Sequence, residues 1–236
     1  MRGYAQLGRA GMARRKALLG LCGWAALPAW SAPTPAMPAI PAVLTQAALQ
    51  TPKALGAATL AVARAGKRLV AVGERGTVLL SDDSGQSWKQ AQVPVQATLT
   101  TVCFANAQTG WAAGHLGVVL RSDDAGASWH KQLDGIQAAA LVMQAAQVTG
   151  DVKAIANAER LAKEGADKPF FDLEFRDTQH GFVVGAYGLM LSTADGGKSW
   201  AAVSPRLPNS KNLHLYGVRV SGSTLLIVGE QGLVMR

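Results

Sequence analysis

WAAGHLGVVLRSDDAGASW, residues 111–129, decides the fold, because the chain repeats it. An earlier copy, VAVGERGTVLLSDDSGQSW, occupies residues 70–88, and a later one, FVVGAYGLMLSTADGGKSW, occupies residues 182–200. A fourth, LIVGEQGLVMR, begins in register at residue 226 and runs to residue 236. Glycines recur as the pairs Gly73/Gly76, Gly114/Gly117, Gly185/Gly188 and Gly229/Gly232. The tryptophans closing the copies are separated by 41 residues and then by 71, one period plus a 30-residue insertion. Each unit holds short β-branched and aliphatic runs rather than a 3.6-residue periodicity. A period near 41 with such runs is the size of one four-stranded β-propeller blade.

The turns carry the second half of the signal. Each copy has the form Ser/Thr-x-Asp-x-Gly-x-Ser-Trp. The first is Ser81, Asp83, Gly85, Ser87 and Trp88; the second Ser122, Asp124, Gly126, Ser128 and Trp129; the third Thr193, Asp195, Gly197, Ser199 and Trp200. A hydroxyl and a carboxylate so spaced can accept backbone N–H bonds within a turn, and the glycine can take positive φ. These residues resemble the Asp-box, or bacterial neuraminidase repeat, of β-propellers. They are read as a folding device rather than as catalytic or metal-binding groups. The fold class expected is all-β: a propeller of four-stranded Asp-box blades, about 3.5 of them in an open arc, with a helical hairpin inserted. The blades are placed at about 57–93, 94–133, 169–204 and 213–236.

Residues 134–168 form the insertion. They are rich in Ala with Leu, Met, Gln, Glu and Lys, all good helix formers. Gly150 breaks the run, Asp151 is placed to cap a second helix, Glu159 and Lys163 stand at i,i+4, and Gly165 suits the stop. A helical hairpin is expected.

The formal charge of +8 needs correcting for its distribution. Residues 1–31 contribute Arg2, Arg9, Arg14, Arg15 and Lys16 and no acid, leaving 18 Lys and Arg against 15 Asp and Glu in the remainder. The basicity is a property of the leader and does not argue for nucleic acid. Arg14-Arg15-Lys16 followed by the apolar residues 17–29 and by Ala29-Trp30-Ser31 has the parts of a signal peptide, 1–31, cleaved before Ala32. It also resembles a twin-arginine signal weakly. The expected localisation is exported and periplasmic. Cys22 is a poor lipoprotein site because bulky Leu21 precedes it. Cleavage leaves Cys103 alone, which excludes an internal disulfide and reads as a small apolar core residue. Residues 32–56 hold five prolines and few charges, and read as a linker or an extended strap.

Propeller geometry sorts the surfaces. Strands alternate direction within a blade, so second-to-third turns and blade-to-blade connections share one face, here the top. That face carries the variable pairs Glu74-Arg75, His115-Leu116, Ala186-Tyr187 and Glu230-Gln231, with the hairpin and the 209–214 connection that includes His214. Glu74, Arg75, His115, Leu116, Tyr187, His214, Glu230 and Gln231 are the candidate partner-binding residues. No catalytic residue, cofactor or metal is expected. On the inner strands, register places Cys103, Glu174 and Arg219 at one equivalent position, so Glu174 and Arg219 are expected to pair.

From the blades to the hairpin before Lys168-Pro169-Phe170, the arrangement resembles the photosystem II assembly and stability factor family and its bacterial relatives. The carriers are the Gly-x-x-Gly and Asp-box units with Gly110-Trp111 and Gly181-Phe182. The resemblance implies a non-enzymatic, exported, chaperone-like factor that binds a protein, a membrane-protein or envelope assembly, through arginines on one face. Arg75 is the only arginine in the four Gly-x-x-Gly turns. The alternative is a sialidase-like glycoside hydrolase or a carbohydrate-binding Asp-box propeller. A sialidase needs an arginine cluster and a tyrosine nucleophile beside an acid, and beyond the leader the chain offers Tyr187 and Tyr216. The fourth copy stops where its box should begin, so the array is expected to be a fragment of a longer one; the other reading is a short form closed by dimerising. The expected state is therefore a monomer or an edge-mediated self-associate.

Overall fold

The computed structural model describes residues 40–236. The expected signal peptide, its cleavage point and Cys22 lie outside the described residues. Four antiparallel sheets follow one another along the chain, each ordered as its strands occur in sequence. The first contains β1 (Thr59–Ala65), β2 (Arg68–Gly73), β3 (Val78–Ser81) and β4 (Lys89–Gln90). The second contains β5 (Leu99–Phe104), β6 (Gly110–Gly114), β7 (Val119–Ser122) and β8 (His130–Leu133). Helices α1 (Gly135–Thr149) and α2 (Val152–Glu164) precede the third, made of β9 (Phe170–Phe175), β10 (Gly181–Gly185), β11 (Met190–Thr193) and β12 (Ala201–Ala202). The fourth has β13 (Leu215–Ser221), β14 (Thr224–Gly229) and β15 (Val234–Met235). The inner strands contact in series, β1 on β5, β5 on β9 and β9 on β13. The fold is a partial β-propeller with a helical insertion.

The middle strands of the second and third sheets are buried on both faces because each of these sheets lies between two others. Across the first joint Val70, Val72 and Val78 cluster with Val102, Ala112 and Leu120. Across the second, Trp111 and Val119 meet Leu173, Val183 and Leu191. Across the third, Val184 and Met190 meet Val218, Ile227 and Met235. Trp111 is fully buried and stacks on Phe175 with ring centroids 3.5 Å apart and planes 4° from parallel.

The box turns are held by their own side chains. Asp124 Oδ1 accepts from the Ser128 backbone N–H at 2.9 Å and from the Ser122 hydroxyl at 2.8 Å, while Oδ2 accepts from the Ser128 hydroxyl. The Ser122 hydroxyl oxygen in turn accepts from the Gly126 N–H. The same bonds recur around Asp83 and Asp195. Trp88 and Trp129 donate from Nε1 to the carbonyls of Gly85 and Gly126; the Trp200 nitrogen is buried without a partner.

Gly150 ends α1 in the left-handed conformation and Asp151 caps α2, as expected; Asp134 and Gln137 add a reciprocal capping box at the start of α1. The i,i+4 ion pair that forms is Arg160–Glu164, at 3.7 Å, one position on from the expected Glu159 and Lys163. Through Val142 and Ala146, α1 joins the cluster that contains Trp200 and Ala202 of the third blade.

The proline-rich segment, from residue 40 onward, lies against the first blade. Ala48 N–H donates to Val93 C=O and Gln96 N–H to Val43 C=O. Gln50 and Gln90 reach across in opposite directions to the carbonyls of Ala91 and Leu49. Leu44 is buried in the first joint, and Ala54 covers Ala71 and Leu79 on the side of the first sheet away from the second. This part of the chain is a strap.

Candidate partner-binding face

The Gly-x-x-Gly turns are built by two constraints. The first glycine lies where the chain enters the inner strand of its blade. A Cβ on Gly73, Gly114, Gly185 or Gly229 would stand 2.0–2.4 Å from the carbonyl oxygen of Ala58, Thr98, Pro169 or His214. The next residue donates its N–H to that same carbonyl in all four blades. These bonds place turns and connections on one face. The second constraint is the turn itself: Thr77 N–H donates to Glu74 C=O, with Arg75 and Gly76 both at positive φ. That is a type I′ hairpin turn. Its centre is the second variable residue plus the second glycine, one step on from the two-residue turn bounded by glycines suggested by the sequence. Leu116, Tyr187 and Gln231 repeat the left-handed conformation of Arg75.

The eight candidate residues divide by what they touch. Glu74 Oε1 accepts from Ala58 N–H and Glu230 Oε2 from His214 N–H, so both carboxylates brace their turns from within. Arg75, His115 and Gln231 are exposed. Leu116 is half-buried, and its turn lies beneath the start of α1, where a Cβ on Gly117 would stand 2.6 Å from Gly135 Cα. Tyr187 and His214 come together. Tyr187 N–H donates to His214 Nδ1 at 2.8 Å, and the rings meet edge to face with centroids 4.9 Å apart. A His214 that accepts at Nδ1 is the neutral tautomer protonated at Nε2.

Around this pair the structure collects residues that the repeat pattern did not single out. Arg160 of α2 and Lys168 lie over the Tyr187 ring, 5.3 and 5.1 Å from its centroid. Lys168 is buried, which pulls its pKa down, but hydrogen bonds to Asp167 and Glu164 push it further the other way and the net shift is upward. It stays charged. Phe171 and Tyr216, from the inner strands β9 and β13, close on His214 from the other side. Between α2 and residues 204–212 runs a groove of about 220 Å³. Leu161, Leu189 and Pro208 give it apolar walls, Asn157 and Asn209 line it with amides, and Tyr187 stands in it. Lys153 Nζ donates to Ser210 C=O and ties α2 to the far wall. In the sequence, the cue to Phe171 and Tyr216 was an aromatic residue at the start of two inner strands; Arg160 and Lys168 had none, because helix rotation decides where they point.

Further down the inner wall, Asp172 is the centre of a second polar cluster. Its carboxylate accepts from Thr101 Oγ at 3.3 Å and from Val218 N–H at 3.0 Å, and it pairs with Arg219. Arg219 Nη1 is 4.0 Å from Glu174 Oε2, so the expected pair is close, but Asp172 is the nearer partner. Burial pushes Glu174 upward against the opposing charge of Arg219. Burial also pushes the Cys103 thiol up to about 12, which leaves it protonated and unreactive at neutral pH.

The sequence pattern of the family described as "Photosynthesis system II assembly factor YCF48" matches residues 46–123 and 153–236. The chain belongs to this family. A curated relative, the "Photosystem II assembly lipoprotein Ycf48" of Synechococcus sp. (strain CC9902), is 38% identical over 64 residues. That match takes in 27% of this chain and 19% of the relative, so the chain aligns with about a fifth of the curated protein. Among solved structures, "YCF48 from Cyanidioschyzon merolae" superposes with a TM-score of 0.50 at 16% identity, covering 75% of this chain and 50% of that one. The GH74 enzyme of Niastella koreensis superposes with a TM-score of 0.52 at 14% identity, covering 74% of this chain and 26% of that one. At such identities the likenesses to both solved structures show the propeller fold alone. The matched residues take in repeat units and nearly all of α2, while α1 falls in the gap between the two matched stretches.

Proposed function

We propose that this chain is an exported, non-enzymatic binding factor that holds an extended segment of a protein partner, a membrane-protein or envelope assembly, in the groove between α2 and residues 204–212. The observation that carries the reading is Tyr187, 44% exposed on a strained left-handed turn and flanked by Arg160 and Lys168. Aromatic and arginine side chains of this kind are the usual anchors of protein recognition. The apolar walls suit side chains and the Asn amides suit the main chain of an extended peptide. Membership of the assembly-factor family supports a protein partner, and the basic, apolar leader supports export. The exposed turns Arg75, His115 and Gln231 extend the same face toward the other blades.

The reading is tested by titrating the purified chain with labelled extended peptides taken from the exported loops of membrane proteins encoded in the same genome. Binding that falls about tenfold or more in Tyr187→Ala and in Arg160→Ala supports it. Peptides that bind both variants as well as they bind the parent chain overturn it. A glycosidase would need two carboxylates free to act across a sugar, whereas Asp172 and Glu174 both face Arg219. Turnover of a fluorogenic sialoside would replace the binding role with catalysis.

A further inference from the structure

The turn that presents Tyr187 is pinned from outside its own hairpin. Its N–H donates at 2.8 Å to Nδ1 of His214, 27 residues further along the chain. Among the described residues no side chain accepts from the equivalent N–H groups of Arg75, Leu116 and Gln231, which hold the same left-handed conformation. A backbone N–H can only donate, so the direction of the bond is fixed and Nδ1 has to carry a lone pair. The bond exists only while the imidazole is neutral and protonated at Nε2. A proton on Nδ1 would set two donors face to face.

His214 also ends the connection that forms one wall of the groove. Asn209 folds that connection on itself, accepting from Leu213 N–H at 3.0 Å and donating to Leu213 C=O at 2.9 Å. Its amide sits against the Tyr187 turn, where a Cβ on Gly188 would stand 2.8 Å from Asn209 Nδ2. His214 C=O accepts from Glu230 N–H at 2.8 Å, and His214 N–H donates to the Glu230 carboxylate at 3.2 Å. The His214 main chain is thus fixed to the fourth-blade turn, and its ring is the part free to respond to a proton. Besides Glu230, the titratable and charged groups around that ring are Tyr187 and Tyr216, with Phe171 between them and β9. Arg160 and Lys168 stand over the Tyr187 ring, paired with Glu164 and Asp167. Protonation of His214 brings a third positive charge to the surroundings of Tyr187. It also takes the acceptor from a turn whose central residue is already strained.

We propose that His214 is a proton-operated latch on the groove. Neutral, it pins the Tyr187 turn to the 209–214 connection and keeps the anchor in place. Protonated, it lets go of the Tyr187 N–H, and the groove releases its occupant. The release rests on the peptide-binding reading of the groove, whereas the latch belongs to the free chain. The sense is retention at neutral pH and above and release in mild acid, over the range in which histidines ordinarily change charge, about pH 5 to 8.

Nuclear magnetic resonance on the free, isotope-labelled chain reads the latch without a ligand. At about pH 8 the His214 ring nitrogens should show the Nε2-protonated tautomer, and the Tyr187 amide resonance should move with the His214 ring as the sample is taken to about pH 5. Binding is read with extended peptides from exported membrane-protein loops, chosen without His, Asp or Glu so that their side chains keep their charge. Affinity should fall about tenfold across the same range. His214→Asn offers a non-titrating amide oxygen in place of Nδ1, and that variant should bind with one affinity throughout. His130→Gln, in β8, should leave the fall in place. A Tyr187 amide that ignores the His214 titration overturns the latch whether or not any peptide binds. A fall of the same size in His214→Asn overturns it too. Peptides that bind at no pH overturn the groove reading and the release with it, while the resonances of the free chain still decide the latch.

Discussion

Single residues in this protein are pinned by charge and by φ. In the box turns, hydrogen bonds from the Ser87 hydroxyl and N–H hold the Asp83 carboxylate near 2, and bonds from Ser199 do the same for Asp195. Each is depressed relative to the unfolded value of about 4. The stability they contribute is therefore complete above about pH 4 and is lost as pH falls through about 2. Melting temperature measured from pH 6 down to pH 2 should drop over that window, and Asn at 83, 124 and 195 together should flatten the drop. Asp124→Ala alone removes three accepted bonds and should cost about 2 kcal/mol by urea unfolding. The left-handed turn residues act in the other sense. Gln231 is exposed at φ 56, a conformation that costs an L-residue roughly 1 kcal/mol and glycine almost nothing. Gln231→Gly should raise stability by about that amount in the same measurement; a lower melting temperature would show that the glutamine side chain holds the turn.

Elements follow from these residues where the determinants are local. Three box repeats, two glycines per turn, a run of helix formers and the capping Asp151 sit within a few residues of what they organise, so blade order and both helices could be read directly. The groove could not. Whether Arg160 or Lys163 reaches Tyr187 depends on the rotation of α2 about its axis, which is set by Ala158 and Leu161 packing on α1. Asp172 was hidden for a similar reason, since a strand register that highlighted Glu174 also put Asp172 two residues away with three donors converging on it. The hairpin itself depends on one close approach. Gly135 opens α1, and a Cβ there would stand 2.8 Å from Ala166 Cα and from the carbonyl oxygens of Ala166 and Leu116. Gly135→Ala should lift the hairpin from the blade at a cost of about 1–3 kcal/mol. Hydrogen exchange should then quicken in α1 and α2 while β1 to β4 keep their protection.

At the scale of the molecule, stability is carried by the joints, because each sheet is covered mainly by its neighbours. The second joint turns on Trp111, which stacks on Phe175, donates to Gly196 C=O and lies under Arg121. Trp111→Ala should cost about 3–5 kcal/mol and Trp111→Phe about 1–2, the latter losing chiefly the hydrogen bond. Chemical denaturation should split into two transitions in the alanine variant, the first two sheets separating from the rest; a single transition at an unchanged midpoint would place the weak point elsewhere.

The strap gives the array a mechanical direction. Residues 43–50 are bonded to residues 91–96, the stretch that leaves the first blade and enters the second, and not to the inner strand that they precede in sequence. A pull applied at residue 40 is delivered through these bonds to the link between blades one and two. Tension from that side therefore reaches the array at its first joint, as a handle riveted across a hinge would deliver it. The blades carrying the groove lie beyond that point, so a pull at residue 40 meets the first joint before it reaches them.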